Sequence, residues 1–295
     1  MPFDFSSIKS QKAAIIAAGT PKLICITAPR GFGKSSILGT LPKSMNTLLV
    51  MNQSENHSYA SAAGISKAKY GNADHITPFF LDEIGGKFLT GDVVVARLIE
   101  LLTDENTFKY FPAIALDSLA ALDQHVLACN EILAADKFSA GKAANAVYGR
   151  VFAAIKNYVS KGGVFIYTLP GESFADDKDV PVYTPKLRGT SALNAILGET
   201  PIIARLEKNV TVDEDGKNQT HYCLCFKGGE ISKKKAKVVS MTGSGKDMKI
   251  VSVPITLNFS CRIAGIPTEK TPDIMDADLE KLITLIDNGG DTFEE

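Results

Sequence analysis

Residues 23–36 read LICITAPRGFGKSS. An apolar run, Leu23 to Ile26, has the length and composition of a buried strand, and a small-residue loop follows it directly. The loop closes on Gly33-Lys34-Ser35, the last three positions of the spacing G-x-x-x-x-G-K-[ST]; Ala28 stands where that spacing starts with glycine. Strand, loop and helix in this order make a phosphate cradle. Small residues let backbone N–H groups curl around an anion, Lys34 brings a point charge, and Ser35 offers a hydroxyl to Mg²⁺. Ala28, Pro29, Arg30, Gly31, Phe32, Gly33, Lys34, Ser35 and Ser36 are therefore the candidate phosphate-binding residues.

Apolar runs of strand length alternate with helical stretches on both sides of this loop. Strands are expected at 23–27, 47–52, 113–116, 164–168, 202–206 and 222–226, and helices at 35–41, 92–103, 118–135 and 143–160. Residues 56–69, rich in serine and alanine, fit neither period clearly. Loops are expected over the Gly-Lys-Ala-Ala after Ala140, over 171–178 and over 212–218. The alternation predicts an α/β fold with a mainly parallel sheet and helices on both faces, and ligands then collect at the C-terminal strand ends.

The chain of 295 residues is 45% apolar with a net charge of −1, enough to bury a sizeable core. No apolar run is long enough to cross a bilayer, so no membrane role is expected. The first residues carry Asp4 ahead of a short, broken apolar stretch, and predict a helix capped by Ser6 or Ser7 and stopped at Gly19 rather than a signal peptide. Five scattered cysteines predict reduced thiols; Cys223 and Cys225 lack a second pair, which argues against zinc. The four histidines form no spaced cluster and receive no catalytic role.

Asp117 closes the apolar run PAIAL, where an acid can hold Mg²⁺ beside Ser35; the competing reading is a cap for the helix that follows. Glu55, just beyond the second strand, is positioned to activate water or to be a solvated loop acid. Asp123 and Glu172 are weaker candidates. Thr168 ends the fourth strand, before an expected turn over 169–172, and is either a phosphate sensor or a plain strand-end threonine. Lys186 and Arg188 in TPKLRGTS could reach a neighbouring subunit's phosphates, touch nucleic acid, or face water.

From Lys227 to Lys249 the charge turns positive, with Lys233, Lys234, Lys235 and Lys237 at its centre. Such a cluster neutralises a nucleic-acid backbone or is a solvated hairpin. Gly243-Ser244-Gly245-Lys246 mimics a second phosphate loop, but Asp247 occupies its Ser/Thr position. Residues 276–287 predict a helix in an acidic C-terminal segment with a disordered end.

Taken together, TAPRGFGKSS, the acid after TLLVMNQSE, AIALDSL with its long following helix, and GGVFIYT leading to PKLRGT resemble the RecA-like phage nucleotide-binding proteins. Some of these are ATP-dependent single-strand annealing recombinases. The likeness spans about residues 23–207 and implies a RecA-like P-loop NTPase core. It also implies ATP and Mg²⁺ as cofactors and action on DNA in recombination or replication. By position, Lys34 and Ser35 become phosphate and metal residues, Asp117 the Walker B acid and Glu55 the catalytic acid. Where RecA-like proteins often carry a glutamine, this chain has Thr168-Leu169, which weakens an expectation of strand exchange.

The expected organisation is an N-terminal helix (1–22), the ATPase core (23–208), C-terminal strands with the lysine segment packed on the core (209–270), and an acidic helix and tail (271–295). Expected partners are single-stranded DNA, further copies of the chain, and a single-strand-binding or replication protein. The expected compartment is the cytoplasm, the host's if the chain is phage-encoded. Rival readings are a nucleotide-dependent assembly or packaging factor that ignores DNA, a small-molecule kinase, and an ATP binder that never hydrolyses.

Overall fold

The computed structural model describes residues 20–136, 139–175, 181–187, 190–212, 218–226, 240–242, 249–251, 256–257 and 261–291. Strand β1 (Leu23–Ala28) enters the glycine loop, and helix α1 (Lys34–Ile37) leaves it, tightening to a 3-10 turn over Leu38–Thr40. Next come β2 (Thr47–Met51), a 3-10 turn over Gln53–Glu55, α2 (His57–Tyr70) and β3 (Ile76–Phe80). A small hairpin, β4 (Glu83–Ile84) and β5 (Lys87–Phe88), leads to α3 (Asp92–Thr103), α4 (Glu105–Tyr110) and β6 (Ala113–Leu116). Then follow α5 (Leu119–Leu127), α6 (Asn130–Leu133), α7 (Ala140–Ser160), β7 (Val164–Ala175), β8 (Pro181–Pro185) and α8 (Thr190–Glu199). The last part holds β9 (Ile202–Val212), β10 (Asn218–Cys225), β11 (Ser240–Thr242), β12 (Lys249–Val251), β13 (Thr256–Leu257), β14 (Arg262–Ile263), β15 (Ile274–Asp276) and α9 (Leu279–Asp287).

The main sheet runs β15-β10-β9-β1-β7-β6-β2-β3. From β9 to β3 every neighbouring pair is parallel. β10 and β15 extend the sheet antiparallel beyond β9. This is the α/β architecture with a mainly parallel sheet and helices on both faces that the sequence predicts. The order places β7 between the loop strand β1 and the acid-bearing strand β6.

Period-two alternation divides the strand residues between two cores. Leu23, Cys25, Leu48, Val50, Ile114, Leu116, Phe165 and Tyr167 pack with α3, α5, α7 and α8. Ile24, Ile26, Leu49, Met51, Ala113, Ala115, Val164 and Ile166 pack with α1, α2 and α9. Each aliphatic side chain so buried contributes about 1.5–3 kcal/mol, so a one-residue slip in register is excluded energetically. Alternation therefore also fixes the face of every polar residue at a strand end.

Several elements differ from the sequence expectation. The helix expected over 35–41 is only α1 plus a 3-10 turn. Gly39 sits there so close to α2 that an added Cβ would lie 2.1 Å from the Ala62 carbonyl oxygen. The helix expected over 118–135 breaks into α5 and α6 at Ala128-Cys129, where a Cβ added to Gly91 would lie 2.5 Å from the Ala128 carbonyl oxygen. Residues 56–69 are helical. β3 was not expected, because Pro78 and exposed Thr77 mask it; as an edge strand it tolerates the proline.

The turn expected at 169–172 and the loop at 171–178 are corrected: β7 continues to Ala175, pairing with β1 as far as Pro170 and then antiparallel with β8. β9 runs on to Val212, and β10 begins at Asn218. Helix α9 starts three residues later than expected, because Asp276 pairs with Cys223 and Asp278 caps the helix. The expected N-terminal helix, the 243–246 loop mimic and most of the lysine segment lie outside the described residues. Among the described residues no helix is long and apolar enough to cross a membrane.

Candidate functional site

The glycine loop lies at the C-terminal end of β1, between two strands of the same sheet. Gly31 and Gly33 have φ of +80° and +86°, a region that side chains with a Cβ disfavour. An added Cβ at Gly31 would meet nothing within 4 Å, so the loop opens onto free space there. Lys34 folds back into the loop, and its Nζ donates to the carbonyls of Ala28 and Pro29, both at 2.9 Å. Burial pulls the Lys34 ammonium below its ordinary pKa, opposed by the charges of Asp117 and Glu55. A cation held in a bend of exposed amides fits a polyphosphate.

Asp117 and Thr168 reach this loop by strand parity. Asp117 is two residues past Ala115 and Thr168 two past Ile166, so both lie on the α1 face. Register sets Leu116 beside Tyr167, making Asp117 and Thr168 adjacent. The Ser35 hydroxyl donates to Asp117 Oδ2 at 2.5 Å, and the Thr168 hydroxyl donates to Asp117 Oδ1. Ser58 of α2 lies 3.3 Å from Ser35 Oγ. Asp117 is 4% exposed, so its carboxylate is held by hydroxyls rather than by water. The competing capping role falls to Ser118, whose side chain accepts from the Ala121 N–H, and the Asp117–Ser118 peptide is cis. A hydroxyl and a carboxylate side by side under a phosphate loop fit Mg²⁺, a hard cation that takes oxygen ligands.

Glu55 sits across Asp117 in the 3-10 turn after β2. Its Oε2 accepts from the Ser118 N–H at 3.0 Å and its Oε1 from the Ser118 hydroxyl at 3.3 Å. Burial, and then the negative charge of Asp117, push its carboxyl up to about 7, against those two hydrogen bonds. A carboxyl titrating near neutrality is suited to take a proton.

The residues that hold this turn belong to no motif in the sequence. Asp82 accepts from the Gln53 N–H at 2.8 Å. Arg97 of α3 donates to the carbonyls of Phe80, Leu81 and Glu83, at 3.0, 2.9 and 2.6 Å, and so braces the segment that carries Asp82. Asp82 could have been noticed as an acid two residues past Phe80, but β3 itself was not expected.

Other candidates lie elsewhere. Asp123 is corrected: it is buried in α5 and accepts from the Tyr148 hydroxyl at 2.6 Å, away from the loop. Glu172 is carried beyond Thr168 on the extended β7. Lys186 is exposed, with its backbone N–H bonded to the Pro170 carbonyl at 2.7 Å. Arg188, Lys233, Lys234, Lys235 and Lys237 lie outside the described residues. Cross-strand register gives Cys223 and Cys225 a third neighbour, Glu207, with ligand atoms all within 4.8 Å. Glu207 is already paired with Arg205, and the bond to Cys223 together with burial holds the Cys225 thiol protonated.

The chain matches no family model and no curated protein. Among solved structures it is similar to the ATPase DotB of Legionella pneumophila, at 12% identity and a TM-score of 0.30, over 76% of this chain and 51% of that one. The chain thus spans about half the length of that structure.

Proposed function

We propose that the chain binds ATP with Mg²⁺ and hydrolyses it. The observation that carries this reading is the Ser35–Asp117 hydrogen bond, which places a hydroxyl and a carboxylate together beneath a lysine-bearing glycine loop. In this reading Lys34 and the loop amides hold the outer phosphates, and Ser35 and Asp117 hold the metal. The metal would supply charge neutralisation to the phosphates. Glu55 takes the proton of the attacking water as its oxygen joins the γ-phosphorus, and the bond to the β-phosphate oxygen breaks to give ADP and phosphate. Thr168, bonded to Asp117, fixes the carboxylate's orientation. The test is Mg²⁺-dependent phosphate release with no small acceptor added. Absence of both nucleotide binding and phosphate release would overturn the reading.

The proposal extends to single-stranded DNA and to recombination or replication by annealing, in a homo-oligomer that works in the cytoplasm. Its support is the lysine run 233–237 and the resemblance to RecA-like phage proteins; Lys186 and Arg188 are the residues proposed to reach a neighbour's phosphates. Single-stranded DNA binding that weakens steeply with salt is expected, as is stimulation of phosphate release by that DNA. A chain that turns over ATP yet ignores single-stranded DNA at low salt would be an assembly factor instead.

A further inference from the structure

Tyr222 stands next to the glycine loop without belonging to it. It lies on β10, opposite Lys208 of β9, and shares the face of Leu206 and Leu224, the face on which α1 packs. A Cβ added to Gly33 would lie 3.5 Å from Tyr222 Cε1 and 3.8 Å from Cδ1, so the ring is in van der Waals range of the loop's last glycine. The same point is 3.9 Å from the Ser36 Cβ, which places the ring at the start of α1. The backbone of Tyr222 is fixed, since its carbonyl accepts from the Ala277 N–H at 3.1 Å. The residue is nevertheless 40% exposed. Phe32, the loop's own aromatic, is packed against the core instead.

We infer that Tyr222 is the platform on which the nucleobase of a bound nucleoside triphosphate stacks. The inference rests on the loop being a phosphate site. A nucleotide's sugar is the only spacer between its α-phosphate and its base, so a base must lie close to the loop that holds the phosphates. An aromatic ring anchored by its strand, with one edge against Gly33 and part of its surface open, offers a flat apolar surface there. Stacking of this kind is tolerant of base identity, because every base presents a π-face. The ligand class is accordingly a purine or pyrimidine nucleoside triphosphate, with purines favoured by their larger ring surface.

The experiment compares binding of ATP and of inorganic triphosphate, each with Mg²⁺, by the full chain and by Tyr222→Phe, Tyr222→Leu and Tyr222→Ala. Leucine retains an apolar contact for Gly33 but cannot stack. The expected result is that ATP affinity falls about tenfold in the leucine and alanine variants and stays within about twofold in the phenylalanine variant. Triphosphate affinity is expected to be unchanged in all three. Equal loss for ATP and triphosphate would show that Tyr222 only supports the loop, and unchanged ATP affinity in the leucine variant would show no stacking; either overturns the inference. Failure of the unaltered chain to bind either ligand would remove the phosphate site itself. Binding of both with no dependence on Tyr222 would remove only the platform.

Discussion

The Ser35 hydroxyl and the Asp117 carboxylate, separated by 82 positions in the chain, are joined by a hydrogen bond of 2.5 Å that ties the start of α1 to the C-terminal end of β6. With the Thr168 hydroxyl on the other oxygen, the carboxylate is held in one orientation before any ligand arrives. Preorganisation of this kind is what a charge-stabilising site requires. Asp117→Asn is expected to lower phosphate release about 100-fold, the scale of deleting one preorganised group, and to raise the Mg²⁺ concentration it requires. Steady-state phosphate release across a Mg²⁺ titration checks this.

Lys34→Ala is expected to weaken ATP binding about 10- to 100-fold, because it removes a charge-assisted contact. Among the described residues the lysine bonds to two carbonyls of its own loop, so its loss should move the melting temperature little. Calorimetric titration with ATP beside a thermal melt separates the two effects.

Glu55 makes a prediction whose sign depends on pH. Its carboxyl is raised from 4.5 to about 7, so the folded chain holds that proton more tightly than the unfolded chain does. The resulting stability is present below about pH 4.5 and is lost as pH rises through about 7. Glu55→Gln removes the loss, and the variant is expected to melt higher than the parent at pH 8 and alike at pH 4. The same variant should lower phosphate release about 100-fold or more, as expected for a general base. The parent's rate should rise with pH through a limb near 7 that the variant lacks. Melts at the two pH values and a pH–rate profile check each part.

Gly39→Ala tests the packing that carries the loop helix. An added Cβ would lie 2.1 Å from the Ala62 carbonyl oxygen, a backbone atom that cannot swing aside. A cost of about 1–3 kcal/mol is expected, with the melting temperature falling by several degrees. Because α1 and α2 would separate, ATP affinity should fall as well. Gly64→Ala, at an exposed helix position where an added Cβ meets nothing within 4 Å, is the control: it should leave ATP affinity unchanged and, because alanine favours the helix, raise rather than lower the melting temperature.

The loop and its strand were legible because their chemistry is local: glycines at positive φ, a lysine, a hydroxyl and an apolar run adjoin in the sequence. Asp117 was legible as an acid ending a buried run. Glu55 was visible only as an acid near a strand end, and its contact with Ser118 was not. Asp123, the weaker candidate, turns inward to Tyr148, because helix phase and not residue type sets its direction. Asp82 and Arg97 passed unnoticed, since each acts on backbone groups distant in sequence.

By itself the sequence determined the α/β class, the strand-loop-helix cradle and the chemical kind of each candidate group, because propensity and periodicity operate over a few residues. Only the tertiary structure decided which candidates meet. Inserting β7 between β1 and β6, and fixing its register, sets Thr168 beside Asp117 and both beneath Ser35. That choice rests on burying two apolar faces at once, a long-range condition that no local stretch of chain encodes.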